Sequence, residues 1–131
     1  MRKLLLIILA CMALSVQAQK INRAETLRTT ELGNQKLQVS NGVFFLVVKS
    51  SVQNITVVLG DKEKALKILR FLYEADVKKG DIVELENENG DIARFNGLKQ
   101  YEFFSEGRQY TGQMAKRYLK GYIEAIEKYG E

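Results

Sequence analysis

Any chemistry done by this chain has to use carboxylates, amines and hydroxyls. The 131 residues include no histidine and a single cysteine, Cys11, near the N-terminus. A chain without imidazole and thiol groups lacks Ser-His and Cys-His nucleophilic pairs, the commonest base near neutral pH, and nearly all zinc and copper sites. A carboxylate pair or a Ser-Lys pair could still be assembled, but no motif identifies one. We therefore expect a protein that is not an enzyme and has no cofactor and no metal.

Aromatic and basic residues near the C-terminus form the candidate binding set. Its members are Tyr101, Arg108, Tyr110, Lys116 and Arg117. Tyrosine and arginine are enriched at interfaces, so this set predicts a patch for a small anionic or sugar-like ligand, or for a protein surface. Tyr118, Tyr122 and Tyr129 have helical spacing instead and are expected to pack in the core with wet hydroxyl tips.

The acidic stretch around residue 88 partly resembles a calcium loop. Asn87, Asn89 and Gly90 match positions three, five and six of an EF-hand loop, whereas its first and twelfth positions are Leu85 and Asn96. Because those two positions should carry acidic ligands, we interpret the stretch as a hairpin tip with solvated carboxylates.

The N-terminal segment has the form of a secretory leader. Arg2 and Lys3 precede an apolar run at residues 4–10, and Val16-Gln17-Ala18 provides a small-residue cleavage site. The apolar run is too short for a convincing membrane span. Leaders of this form occur on small exported bacterial proteins. Residues 1–18 are therefore expected to be removed, and the mature protein to be periplasmic or extracellular.

Cys11 supports an alternative to simple cleavage. Ile8-Leu9-Ala10-Cys11 loosely resembles the lipobox of bacterial lipoproteins, in which the cysteine is acylated and becomes the N-terminus. The hydrophobic character continues past Cys11, as it does in an ordinary leader, so lipidation is the second interpretation. Membrane contact is expected only if Cys11 is lipidated.

Removal of the leader makes the chain nearly neutral. Subtracting Arg2 and Lys3 from the 20 basic residues leaves 18 against 16 acidic ones, a net charge of +2. The basic residues form no dense run, and export would separate the protein from most nucleic acid, so nucleic acid is not an expected partner. A mature chain without Cys11 also has no disulfide.

The elements that would position the candidate residues follow a polar arm. Residues 19–35 are interpreted as a loosely attached arm with at most one helical turn, whose order would need a partner or a sheet edge. Residues 36–131 are expected to form a single domain. Short apolar runs predict strands at 37–39, 43–48, 55–59, 83–85, 93–95 and 101–105. The second and third runs are the most hydrophobic and are placed at the centre of a sheet.

Two Asn-Gly hairpins join these strands. At Asn41-Gly42 a two-residue and a three-residue loop both stay open, because the second strand is apolar on both faces. At Asn89-Gly90 we predict a three-residue loop with Gly90 in the left-handed bulge position. That loop pairs apolar residues with apolar residues and an acidic residue with a basic one across the two strands. The pairs are Val83 with Phe95, Leu85 with Ala93, and Glu84 with Arg94.

Two amphipathic helices complete the prediction. The first has Asp61 as N-cap and ends before Gly80, and its buried positions are Ala65, Ile68, Leu69 and Leu72. The second runs from about residue 112 to residue 128 with Thr111 as N-cap. Its buried stripe consists of Ala115, Tyr118, Leu119, Tyr122, Ile126 and Tyr129.

The expected fold is α+β: an antiparallel sheet of five or six strands with two amphipathic helices packed on one face. Residues 37–42 and 85–90 share Leu, Asn and Gly at a separation of 48, which fits a pseudo-repeat of strand-strand-strand-helix. Independent recurrence of a good hairpin sequence explains the match at least as well, and both explanations stay open.

Three functions of different class remain. The leading interpretation is an exported, small, non-enzymatic binding or interaction domain of unknown ligand. The alternatives are a lipid-anchored envelope component that retains Cys11 and a hydrolase that uses carboxylates. The oligomeric state is left open.

Overall fold

Two antiparallel sheets and two helices make up the part of the chain that the computed structural model describes, residues 24–30, 35–50, 54–104 and 111–130. The strands are β1 (Glu25–Thr29), β2 (Lys36–Ser40), β3 (Val43–Val48), β4 (Ile55–Gly60), β5 (Ile82–Glu84), β6 (Ile92–Phe95), β7 (Gln100–Phe104) and β8 (Thr111–Ala115), and the helices are α1 (Lys62–Glu74) and α2 (Tyr118–Lys128). The sheet orders are β1-β2-β3-β4 and β5-β6-β7-β8. The α+β class is confirmed, but one sheet of five or six strands is wrong.

Two edge strands, neither of which contains an apolar run, account for the eight strands where at most six were predicted. β1 lies within the polar arm and pairs with β2, so this part of the arm is a strand at a sheet edge and not a helical turn. β8 pairs with β7, and the helix predicted from Thr111 begins only at Tyr118. The leader with Cys11, residues 1–18, lies outside the described residues.

Each sheet is followed by one helix, so the unit in each half is four strands and a helix. The predicted unit of three strands and a helix is therefore wrong. The two hairpins that prompted it are also not equivalent in the fold. Asn41-Gly42 joins the second and third strands of its sheet, whereas Asn89-Gly90 lies between the first and second strands of the other.

The β2–β3 hairpin has the two-residue loop. Val39 pairs with Phe44 and Ser40 with Val43, and the loop residues Asn41 and Gly42 have φ of 51° and 77°. Two positive φ values define the tight turn whose twist matches paired strands. β3 is an interior strand as predicted, but β4 is at the edge of its sheet.

The β5–β6 hairpin differs from its predicted register by two residues. Val83 pairs with Ala93 and Glu84 with Ile92, and Leu85 N–H donates to the Asp91 carbonyl at 3.1 Å. The loop is therefore the five residues 86–90. A shift of two residues keeps the same side chains on the same face of the sheet, so Leu85 and Ala93 are still buried.

One hydrophobic core connects both sheets and both helices. The first helix matches its prediction: Asp61 Oδ1 accepts the Lys64 N–H at 2.9 Å, and the buried residues are Ala65, Ile68, Leu69 and Leu72. α2 contacts α1, β1 and β8, while α1 contacts β3 and β4. Among the described residues, neither helix is long and apolar enough to cross a membrane.

Candidate functional site

A groove with a volume of about 630 Å³ opens where β6, β7, β8 and α1 come together. We call it the basic groove. It is lined by Tyr73, Phe95, Leu98, Lys99, Gln100, Ala115, Lys116 and Arg117. Its volume falls within the range of about 300 to 1,000 Å³ that is typical of small-ligand sites. Among the described residues, the lining combines aromatic and aliphatic walls with three cations and includes no acidic residue.

Two chain turns bring the cations together. The first, residues 96–99, joins β6 to β7 and is held by Asn96, whose Oδ1 accepts the Leu98 N–H at 2.9 Å. The second, Lys116 and Arg117, joins β8 to α2. The Lys116 N–H donates to the Lys99 carbonyl at 2.8 Å. This backbone hydrogen bond extends the β7–β8 pairing, which ends at Gln100 and Ala115, and holds the two turns side by side.

The Lys116 side chain spans the groove. Its Nζ donates to the Ala75 carbonyl at the end of α1 at 3.2 Å and lies 5.9 Å from the centre of the Phe95 ring. An ammonium group has three donors, and only one of them is used by this bond. The half-buried amine is thus positioned by the protein while it can still donate to a ligand.

The groove contains both a strained backbone and grouped positive charges. Lys99 adopts a left-handed backbone with φ of 60°, and this conformation costs a non-glycine residue on the order of 1 kcal/mol. Lys116 and Arg117 are adjacent, and the Arg117 guanidinium carbon lies 5.1 Å from the centre of the Tyr118 ring. Mutual repulsion of grouped cations is relieved by a bound anion, so the groove is chemically suited to an anionic group flanked by an apolar one.

The candidate residues from the sequence separate into three groups. Lys116 and Arg117 line the groove together. Tyr101 is fully buried, so it is a core residue and not part of an exposed patch. Arg108 and Tyr110 lie outside the described residues.

Tyr101 supports the groove from the core. Its hydroxyl donates to the Leu72 carbonyl at 2.6 Å, and its ring meets Phe95 edge-on at a centroid distance of 5.4 Å. Burial raises the pKa of Tyr101 to about 12. Tyr101 therefore ties β7 to α1 and holds the Phe95 wall in place.

Sequence reasoning missed Lys99, Tyr73 and Phe95 as groove residues. The Asn96-Gly97 turn was visible in the sequence, and Lys99 follows it. Nothing in the sequence placed that turn beside Lys116, because β8 carries no strand pattern and was assigned to a helix.

A second concavity, with a volume of about 1070 Å³, runs between α1 and β5. We call it the mixed cleft. Its charged lining consists of Asp61, Glu63, Lys64, Lys67, Arg70, Glu74, Glu84 and Glu86. The five acidic and three basic side chains are all exposed. Opposite charges so distributed compensate one another in water, and none of these carboxylates is desolvated as a catalytic pair would be.

A buried polar pair supports the wall of the mixed cleft. Asn87 Nδ2 donates to the Val58 carbonyl at 2.8 Å and to Asp91 Oδ2 at 2.9 Å, and its Oδ1 accepts the Asp91 N–H at 2.8 Å. Asp91 is fully buried, and its Oδ1 has no partner among the described residues. These bonds join the β5–β6 loop to the other sheet and explain why that loop has five residues.

The described residues include no group of three or more acidic, histidine or cysteine side chains that could hold a metal ion.

No protein-family model, no curated protein and no solved structure matches this chain.

Proposed function

We propose that this protein is an exported, non-enzymatic binding domain whose basic groove takes an anionic ligand. The observation that carries the proposal is the convergence of Lys99, Lys116 and Arg117 on one aromatic-walled groove that has no acidic residue in its described lining. The amine of Lys116 binds the anionic group of the ligand, and the apolar part of the ligand packs on Phe95 and Tyr73. This favours the anionic ligand over the sugar-like one, since a neutral sugar would supply no counter-charge to the amines of Lys99 and Lys116.

The experiment is an NMR titration of the ¹⁵N-labelled protein with phenyl phosphate, which combines an anion with a ring. Amide signals of residues 98–100 and 115–117 are expected to shift. Benzyl alcohol is the neutral control and should cause no comparable shift at the same concentration. Shifts confined to the mixed cleft, or equal shifts with both compounds, would contradict the proposal.

Two further proposals concern the mature N-terminus. Intact mass spectrometry separates them. Cleavage after Ala18 would give the mass of a chain that begins at Gln19, whereas the lipid-anchored alternative would give the mass of a chain that begins at an acylated Cys11. Among the described residues no observation favours the carboxylate hydrolase, because the acidic residues lining the mixed cleft are all exposed.

A further inference from the structure

The turn at residues 96–99 carries an apolar side chain in the middle of cations. Leu98 is 77% exposed, the highest value among the exposed large hydrophobic residues of the described chain. Lys99 follows it directly, and Lys116 and Arg117 line the same groove. An isolated exposed leucine is common on protein surfaces. Its position at the rim of a groove whose described lining carries only positive charge is the feature that needs an explanation.

A fourth cation lies just outside the groove. A Cβ built on Gly97 would approach the Lys79 side chain at 3.0 Å, so the aliphatic stem of Lys79 lies along the turn. Long basic side chains of this kind cover apolar surface with the stem and hold the charge in water. The basic surface is therefore wider than the groove itself.

We propose that this corner, formed by Leu98, Lys79, Lys99, Lys116 and Arg117, docks on an anionic lipid bilayer, and this rests on the proposed anion-binding groove. The phosphate of one headgroup occupies the groove. Leu98 enters the interfacial layer beside it, and the outer lysines meet neighbouring headgroups. The membrane contact inferred here needs no acylated Cys11.

Charge complementarity favours a bilayer over a protein partner. Among the described residues, the amines of Lys79 and Lys99 have no hydrogen-bond or ion-pair partner. Long, unfixed amines can follow the mobile phosphates of a fluid anionic surface, which attracts each basic side chain near it. A protein partner would instead need carboxylates at fixed positions. One leucine and a few cations give weak, reversible attachment.

The test is co-sedimentation of the protein that begins at Gln19 with vesicles of phosphatidylcholine alone and of phosphatidylcholine mixed with phosphatidylglycerol. Binding is expected only to the mixed vesicles, and it should weaken as salt is raised. Leu98→Ser should weaken vesicle binding about tenfold or more. The matched control is Phe71→Ser, which removes a 58% exposed residue that lines the mixed cleft and should change vesicle binding less than twofold.

Lys79→Gln distinguishes a bilayer from a small anion. Loss of the Lys79 charge should weaken vesicle binding about fivefold. The affinity for phenyl phosphate should change less than twofold, because Lys79 does not line the groove. Equal vesicle binding by the wild type, Leu98→Ser and Lys79→Gln would assign the attachment to another surface and overturn the proposal.

The remaining outcomes separate this proposal from the one on which it rests. Binding of phenyl phosphate without binding to vesicles would overturn the lipid surface and leave the anion-binding groove standing. Failure of both would overturn both. Retention on immobilised polyglutamate without vesicle binding would replace the bilayer with an acidic protein partner.

Discussion

The basic groove and the mixed cleft differ in charge far more than in shape. Both are open and have apolar floors, and the mixed cleft is the larger of the two, at about 1070 Å³ against about 630 Å³. The mixed cleft is lined by both acidic and basic side chains, whereas the described lining of the basic groove has three cations and no acidic residue. Size and an apolar floor therefore do not distinguish the two regions. The proposed ligand site differs in the sign of its charge, with the Lys116 amine held by a backbone carbonyl.

The two regions also have independent supports. The wall of the mixed cleft depends on Asn87 and Asp91, and the groove depends on Tyr101 and on the bond between Lys116 and Lys99. Substitutions can therefore damage one region and leave the other working.

The largest effect is expected for Asn87→Ala. The change removes three hydrogen bonds and leaves the buried Asp91 carboxylate with fewer donors, which should lower the free energy of unfolding by about 3 kcal/mol. Urea denaturation measures it, and Asn89→Ala, an exposed change in the same loop, should cost under about 0.5 kcal/mol. Phenyl phosphate affinity of the folded variant should stay near wild type. A parallel loss of affinity would show that the two regions are coupled.

A second, smaller effect is expected in alkali. Burial raises the pKa of Tyr101 to about 12, and burial with a smaller contribution from Tyr118 does the same for Tyr122, whereas both titrate near 10 when unfolded. The two tyrosines therefore make their full contribution to the free energy of unfolding below pH 10. That free energy falls as pH rises toward 12, by up to about 1.4 kcal/mol per pH unit for each tyrosine. Denaturation at pH 9 and pH 11 measures the loss, which should be smaller in Tyr122→Phe. An identical loss in that variant would contradict the assignment.

The smallest stability effect compares the same two tyrosines at neutral pH. Tyr101→Phe leaves the Leu72 carbonyl without its donor and should cost about 1 kcal/mol. The Tyr122 hydroxyl is buried without a partner among the described residues, so Tyr122→Phe should be neutral or slightly stabilising. Thermal unfolding of both variants tests the pair, and a reversed order would contradict the hydrogen-bond assignment under the groove.

Local signals account for the parts of the fold that the sequence predicted. Asp61 caps α1 and its apolar stripe follows one helix face, and Asn41-Gly42 produces a tight hairpin, because each feature is decided within a few residues. β1 and β8 were missed because edge strands with one buried face can be largely polar. The register at Asn89-Gly90 was missed because Asn87 bonds to Val58, which lies 29 residues away.

The candidate site was predicted in part for the same reason. Composition pointed to Lys116 and Arg117, but it also selected Tyr101, whose burial depends on how β7 packs against α1. Lys99 joins the site because β7 pairs with β8 and because its carbonyl accepts the Lys116 N–H. Such a contact between two turns leaves no pattern in either segment.

The most direct test of the central claim is calorimetric titration of phenyl phosphate into Lys116→Met and Lys67→Met. Both variants lose one lysine, from the basic groove in the first and from the mixed cleft in the second. Loss of a charged donor should weaken binding at least about tenfold in Lys116→Met, and Lys67→Met should stay within about twofold of wild type. Equal affinities in the two variants, with both still folded, would contradict the claim that the basic groove is the binding site.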